Sequence, residues 1–204
     1  MKIPIILFLL FSTVMTSCND NSETKSKSCC STKKTTETDK AISGESIYNL
    51  GSTWITQESD SVQLRNFAGK ITIAAMVFTH CESACPRIVA DMQCIESGLS
   101  GDELRLVNFL LISMDPDRDT PARMNEFAVE HKLNASWTLI SSNHDATMEI
   151  ANVLDVRVKK LENGGFDHSN VIFLLNKSGE ILFQQNGFSD EQDEMLEVIQ
   201  NQVN

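Results

Sequence analysis

Val77-Phe78-Thr79-His80-Cys81-Glu82-Ser83-Ala84-Cys85-Pro86 sets two cysteines at the corner between two different hydrophobic patterns. Before it, Ile71 to Phe78 is an apolar, β-branched run of the kind covered on both faces of a sheet. After it, Ile88, Met92, Ile95 and Leu99 recur at intervals of four, three and four, which is one stripe of a helix ending near Ser100-Gly101. Proline is tolerated as the first helical residue and disfavours helical geometry in the residue before it. The sequence therefore predicts Cys85 as the cap, Pro86 as the start of the helix and Cys81 in the loop. A thiol at a helix N-terminus is biased toward thiolate, the form that attacks disulfides and binds metals. The three-residue spacer suits closure as a disulfide or opening around an ion, and spacing alone does not choose between them. Cys94 falls off the apolar stripe and, nine residues past Cys85, lies about half a turn out of phase with it, so it reads as a spectator.

Leu104 to Met114 is a second buried strand, followed by Asp115-Pro116-Asp117-Arg118-Asp119-Thr120-Pro121. Thr120 before Pro121 starts a helix whose inner face is Met124, Phe127 and Ala128. The carboxylates read as turn and capping chemistry rather than a hard-cation site, because Pro116 and Arg118 interrupt them and the spacing is not that of a calcium loop. Next come a strand from Trp137 to Ile140, a helix from Asp145 to Leu154, a strand from Asp155 to Lys160 and the turn Asn163-Gly164-Gly165. Strands from Val171 to Asn176 and from Ile181 to Gln184 form a hairpin, and an acidic helix from about Asp190 to Val203 ends the chain. Upstream, Trp54-Ile55 and Val62 to Leu64 flank the polar Gln57 to Ser61 as a further hairpin ahead of the main sheet. This order predicts an α/β domain with a mixed central sheet, thioredoxin-like, with an added N-terminal hairpin and paired cysteines at its first strand-helix corner.

Among four histidines, His168 stands at the start of a strand beside Asp167, where its ring can face the cysteines with Asp167 orienting it. His80 is expected to point away from them, and His131 and His144 sit in polar helix ends. On residues alone, His168 is equally well a ligand or a satisfied surface histidine.

The first seventeen residues carry one charge, Lys2, and an apolar core too short to span a bilayer, ending in Met15-Thr16-Ser17-Cys18. They resemble a bacterial lipoprotein signal peptide, which implies that Cys18 becomes the lipid-bearing first residue of a membrane-anchored protein of the cell envelope, outside the cytoplasm. Asn19 to about Ser43 is almost devoid of apolar residues and reads as a flexible tether, with Cys29 and Cys30 as incidental thiols. The domain then runs from 44 to 204. Formal charge is −11, or −12 once Lys2 is removed, and such an acidic surface argues against nucleic acid as a partner.

Three motifs occur in order: Phe78-Thr79-His80-Cys81-x-x-x-Cys85-Pro86, then Ile112-Ser113-Met114-Asp115-Pro116-x-Arg118-Asp119-Thr120-Pro121, then Asp167-His168-Ser169. Together, from about Ser46 to Gly187, they resemble the SCO/SenC family of copper-binding thioredoxin-fold proteins. The resemblance implies copper held by Cys81, Cys85 and His168, a membrane-held protein, and a role in assembling the copper centre of cytochrome c oxidase. Two thiolates and an imidazole suit soft Cu(I), whereas Cu(II) prefers a further ligand that the sequence does not identify. Many members have proline after the first cysteine where this chain has Glu82, which bears on loop stiffness and redox poise. The expectation is thus a copper metallochaperone rather than an ordinary enzyme. The alternative is a thiol-disulfide oxidoreductase in which Cys81 attacks and Cys85 resolves, unless the helix dipole reverses that order.

Overall fold

In a computed structural model, which describes residues 43–187 and 192–203, strands and helices alternate much as the periodicities predict. The elements are β1 (Thr53–Thr56), β2 (Ser61–Gln63), β3 (Ile71–Val77), α1 (Ala84–Ser97), α2 (Gly101–Leu104), β4 (Val107–Ser113), α3 (Pro121–Glu130) and β5 (Trp137–Ser141). There follow α4 (His144–Val153), β6 (Val158–Lys160), β7 (Phe166–His168), β8 (Val171–Leu175), β9 (Ile181–Asn186) and α5 (Gln192–Val203). The expectations for Met1 to Ser17, the lipid-bearing Cys18, and Cys29 and Cys30 fall outside the described residues.

Seven strands form one sheet in the order β2-β1-β5-β4-β3-β8-β9. β3, β4 and β5 run parallel, while β8 lies antiparallel to β3 and β9 antiparallel to β8. All seven residues of β3 are buried because both of its faces are covered, which is why its sequence is a continuous apolar run rather than an alternation. One face presents Ala75, in register with Ile172 and through it with Gln185 of β9. That face lies under α1, since a Cβ on Gly187 would sit 3.3 Å from Ile88. On the other face, Thr72 takes part in a 3.1 Å hydrogen bond with the Tyr48 hydroxyl, so the N-terminal segment covers it. In the outer half of the parallel core, Phe109 and Trp137 stack at 4.7 Å, and the Trp137 indole N–H donates to Glu96 of α1. Such a pair adds about 0.5–1.5 kcal/mol beyond its buried area.

Three features differ from the sequence-based picture. The N-terminal hairpin is not ahead of the sheet but part of it, because β1 pairs antiparallel with β5 as well as with β2. The strand expected from Asp155 begins only at Val158 and joins β7 in a separate two-stranded sheet, Asp155 itself having a positive φ that ends the preceding helix. The short helix α2 was not anticipated, although Ser100 and Glu103 form a reciprocal capping box whose Ser-x-x-Glu signature is present in the sequence.

Candidate metal centre

β3 ends at the cysteine corner, and the first residues of the loop that follows are tied down by hydrogen bonds. The Thr79 hydroxyl donates to Asp119 at 2.6 Å and its amide is shared between both Asp119 oxygens, while Ser113 Oγ donates to the second oxygen at 2.6 Å. Arg123 of α3 donates to the Thr79 carbonyl at 2.9 Å and is itself held by Glu130. The Cys81 amide then closes a turn onto the Phe78 carbonyl.

Helix α1 starts earlier than proline logic predicts: Ser83 is the cap, Cys85 the second helical residue and Pro86 the third. First-turn amides have no partner within a helix, so proline forfeits no hydrogen bond there. Ser83 makes no side-chain capping bond, and the Cys81 sulfur takes over that task, accepting the Cys85 amide at 3.3 Å. Cys81 is half-buried, whereas Cys85 is fully buried and accepts the Phe78 amide at 3.5 Å.

The two thiols titrate far apart. Donation from the Cys85 thiol, opposed by partial burial and aided by the backbone amides of Cys85, Ser83 and Ala84, lowers Cys81 to about 5. The same hydrogen bond, together with burial, pushes Cys85 well above the ordinary thiol range. The pair is one thiolate stabilised by one thiol, and the helix dipole acts through Cys81 rather than through Cys85.

His168 ends β7 and lines, with Cys81, a cleft of about 440 Å³. Its Nδ1 lies 3.1 Å from the Ser169 carbonyl, an acceptor that places the ring proton on Nδ1 and leaves the Nε2 lone pair for a metal. Asp167 does not orient the ring. Neighbouring strand residues face opposite ways, and Asp167 instead accepts from Arg157 at 3.3 Å. Phe78 packs against Phe166 at 5.0 Å and edge-on to the His168 ring at 6.0 Å, joining the hairpin to the end of β3. Donor atoms of Cys81, Cys85 and His168 share one corner, though they do not all come within 4.8 Å of one another.

His80, Asp115 and Asp119 do have ligand atoms within 4.8 Å, but they form a hydrogen-bonded knot rather than a cation pocket. Both Asp119 oxygens already accept hydroxyls, and Arg118 lies against Asp115. His80 leans toward this knot, with Nδ1 3.2 Å from Thr79 Oγ1, and still borders the cleft. Of the expected capping acids, only Asp117 is exposed, paired with Lys160 and His144; Asp115 and Asp119 are buried. Sequence reasoning missed the roles of Asp115, Arg118 and Asp119 in building the corner. Their only signal was the second motif itself. Cys94 is exposed, as its phase on α1 predicts.

The donor set fits a soft ion. One thiolate is preformed, a bound ion would take the place of the second thiol's proton, which would leave to solvent, and the His168 imidazole lines the same cleft as Cys81.

The SCO1/SenC family model matches residues 48–204. The SCO1 protein homolog of Bacillus subtilis (strain 168) is 27% identical over 143 residues, covering 66% of this chain and 72% of the relative. The crystal structure of Arabidopsis thaliana ScoI with copper bound is similar with a TM-score of 0.64 and 22% identity, over 74% of this chain and 95% of that one. BsSco, a member of the Sco family of cytochrome c oxidase assembly proteins in which a disulfide switch was identified, is similar with a TM-score of 0.66 and 24% identity, over 74% of this chain and 90% of that one. These likenesses establish the thioredoxin-like fold.

Proposed function

Because the chain belongs to the SCO1/SenC family, we propose that it is a copper-binding assembly factor that holds a copper ion at Cys81, Cys85 and His168 and passes it to the copper centre of cytochrome c oxidase. The observation that carries this reading is the pairing of a preformed, half-buried thiolate with a histidine whose Nε2 is left free, on two walls of one cleft. Cu(I) is the first form expected, since two sulfurs and one imidazole satisfy it. The lipoprotein-like start of the chain supports anchoring through Cys18 in a bacterial cell envelope, with residues 19–43 as the tether.

The test is a copper titration of the reduced full chain with Cys18, Cys29 and Cys30 replaced by serine, so that no other N-terminal thiol supplies a site. One tight equivalent is expected. Cys81→Ala, Cys85→Ala and His168→Ala should each weaken it by more than about 100-fold, beyond the cost of losing an outer-sphere partner. Unchanged affinity in His168→Ala would refute the ligand set.

A second reading, thiol-disulfide exchange, is favoured by the same thiolate. Cys81 Sγ would attack an acceptor disulfide to form a mixed disulfide. Cys85 Sγ would then attack Cys81, releasing the acceptor as two thiols and leaving the Cys81–Cys85 disulfide, with two electrons passing to the acceptor. Exchange with a protein disulfide no faster than that of glutathione would exclude it.

A further inference from the structure

His168 is carried by a ladder outside the main sheet, whose base rests on the core through Val158 and Phe166. Among the described residues β6 and β7 pair with each other, outside the seven-stranded sheet, so side-chain contacts at the hairpin's base, flank and tip set where the ring stands. Phe166 rests on Phe78, and Lys160 reaches Asp117 at 2.8 Å in solvent, where screening leaves such a pair little strength. At the tip, the tie is Arg118. Its Nε donates to Asp115 Oδ2, and its Nη2 donates to the carbonyl of Gly164 at the hairpin tip. Asp115 is fully buried at the end of β4, with its backbone carbonyl accepting the Arg118 and Asp119 amides, so one end of the guanidinium is fixed to the core. Gly164 has φ +81, a conformation that side-chain-bearing residues rarely adopt, and Arg118 Nη1 lies 3.5 Å from where its Cβ would be.

We propose that Arg118 is a positioning residue: its guanidinium clamps the β6–β7 hairpin to Asp115 and thereby holds the His168 ring across the cleft from the cysteine pair. The planar fork serves two acceptors at once, which an ammonium on a flexible stem does not reproduce. The consequence for copper rests on the ligand set proposed above, whereas the consequence for the hairpin does not.

The experiment compares the full chain with Arg118→Ala and Arg118→Lys by amide hydrogen exchange without metal, and then after copper loading. In both variants the Leu161 amide, which donates to the Gly165 carbonyl at 2.8 Å, should exchange at least about tenfold faster, with β3 and α1 unchanged. Should Arg118→Ala not fold, Arg118→Lys carries the same comparison. With Cu(II), imidazole nitrogen hyperfine structure in the electron paramagnetic resonance spectrum should weaken. Copper affinity of Arg118→Ala combined with His168→Ala should equal that of His168→Ala alone. Unchanged Leu161 exchange, or additive losses in the double variant, would overturn the clamp. A wild-type chain that takes up no copper would refute the copper reading instead, and exchange would still decide the clamp.

Discussion

Replacing Cys85 with alanine tests the electrostatic centre of the site directly, because the Cys85 thiol is the largest cause of the depressed Cys81 titration. The assay is iodoacetamide labelling of the reduced chain from pH 4 to 9, with Cys81 resolved from the other thiols by peptide mass spectrometry. At a titration point of about 5, Cys81 is mostly thiolate at pH 6, whereas an ordinary peptide thiol near 8.5 is about 0.3% thiolate there, a gain of roughly 300-fold. Nucleophilicity falls with basicity at a Brønsted slope near 0.45, which returns about 40-fold over such a difference and leaves Cys81 several-fold faster at pH 6. Near pH 7 the order reverses, and above it Cys81 is the slower thiol. The diagnostic is the shape of the profile: flat above pH 6 in the wild type, with its midpoint moved upward in Cys85→Ala. The linkage has a definite sign. A thiol lowered on folding stabilises the native state fully above the unfolded value, and that stabilisation fades as pH falls toward the folded value near 5. A wild-type rate that climbs tenfold per pH unit between 6 and 8 would refute the thiolate assignment.

Asp119→Ala strands the Thr79 amide and the Thr79 and Ser113 hydroxyls, and should cost about 3–5 kcal/mol in urea denaturation, with Asp119→Asn costing roughly half as much. Burial raises the Asp119 carboxyl, so the associated stability is present below the unfolded value and lost as pH rises through the folded one. The wild type should therefore gain on Asp119→Asn as pH falls from 7 to 4, and a gap that instead widens toward neutral pH would contradict this. Gly179→Ala puts a Cβ 2.5 Å from the buried Tyr48 ring at φ +82, and should cost about 2–4 kcal/mol while leaving copper stoichiometry at one, as thermal melts and titration would show.

The legible parts of the fold were those where periodicity and burial coincide. The continuous apolar run of β3 and the four-three-four stripe of α1 each state their surroundings, and they place the cysteines between them. Position along the helix was harder to read. Pro86 points to Cys85 as the cap, yet proline is also at home deeper in a first turn, and a sulfur from the loop can cap the helix. The site divides in the same way. Its three candidate ligands were readable as residue types in motifs, whereas the orientation of His168 depends on a backbone carbonyl, which leaves no mark in side-chain identity. The knot of Thr79, Ser113 and Asp119 joins residues up to 40 positions apart, and no local pattern announces such a meeting.

The unequal exposure of the two cysteines also governs how the protein meets oxidants. Only Cys81 is reachable and ionised, so peroxide would oxidise it first, to a sulfenic acid. Cys85, already hydrogen-bonded to that sulfur and sealed from solvent, is the nearest nucleophile and displaces hydroxide, leaving a disulfide and water once the Cys85 proton is counted. The corner is thereby protected from irreversible sulfinic and sulfonic products. On the proposed ligand set, an oxidative insult becomes a reversible loss of metal binding, which a thiol reductant in the same compartment would restore.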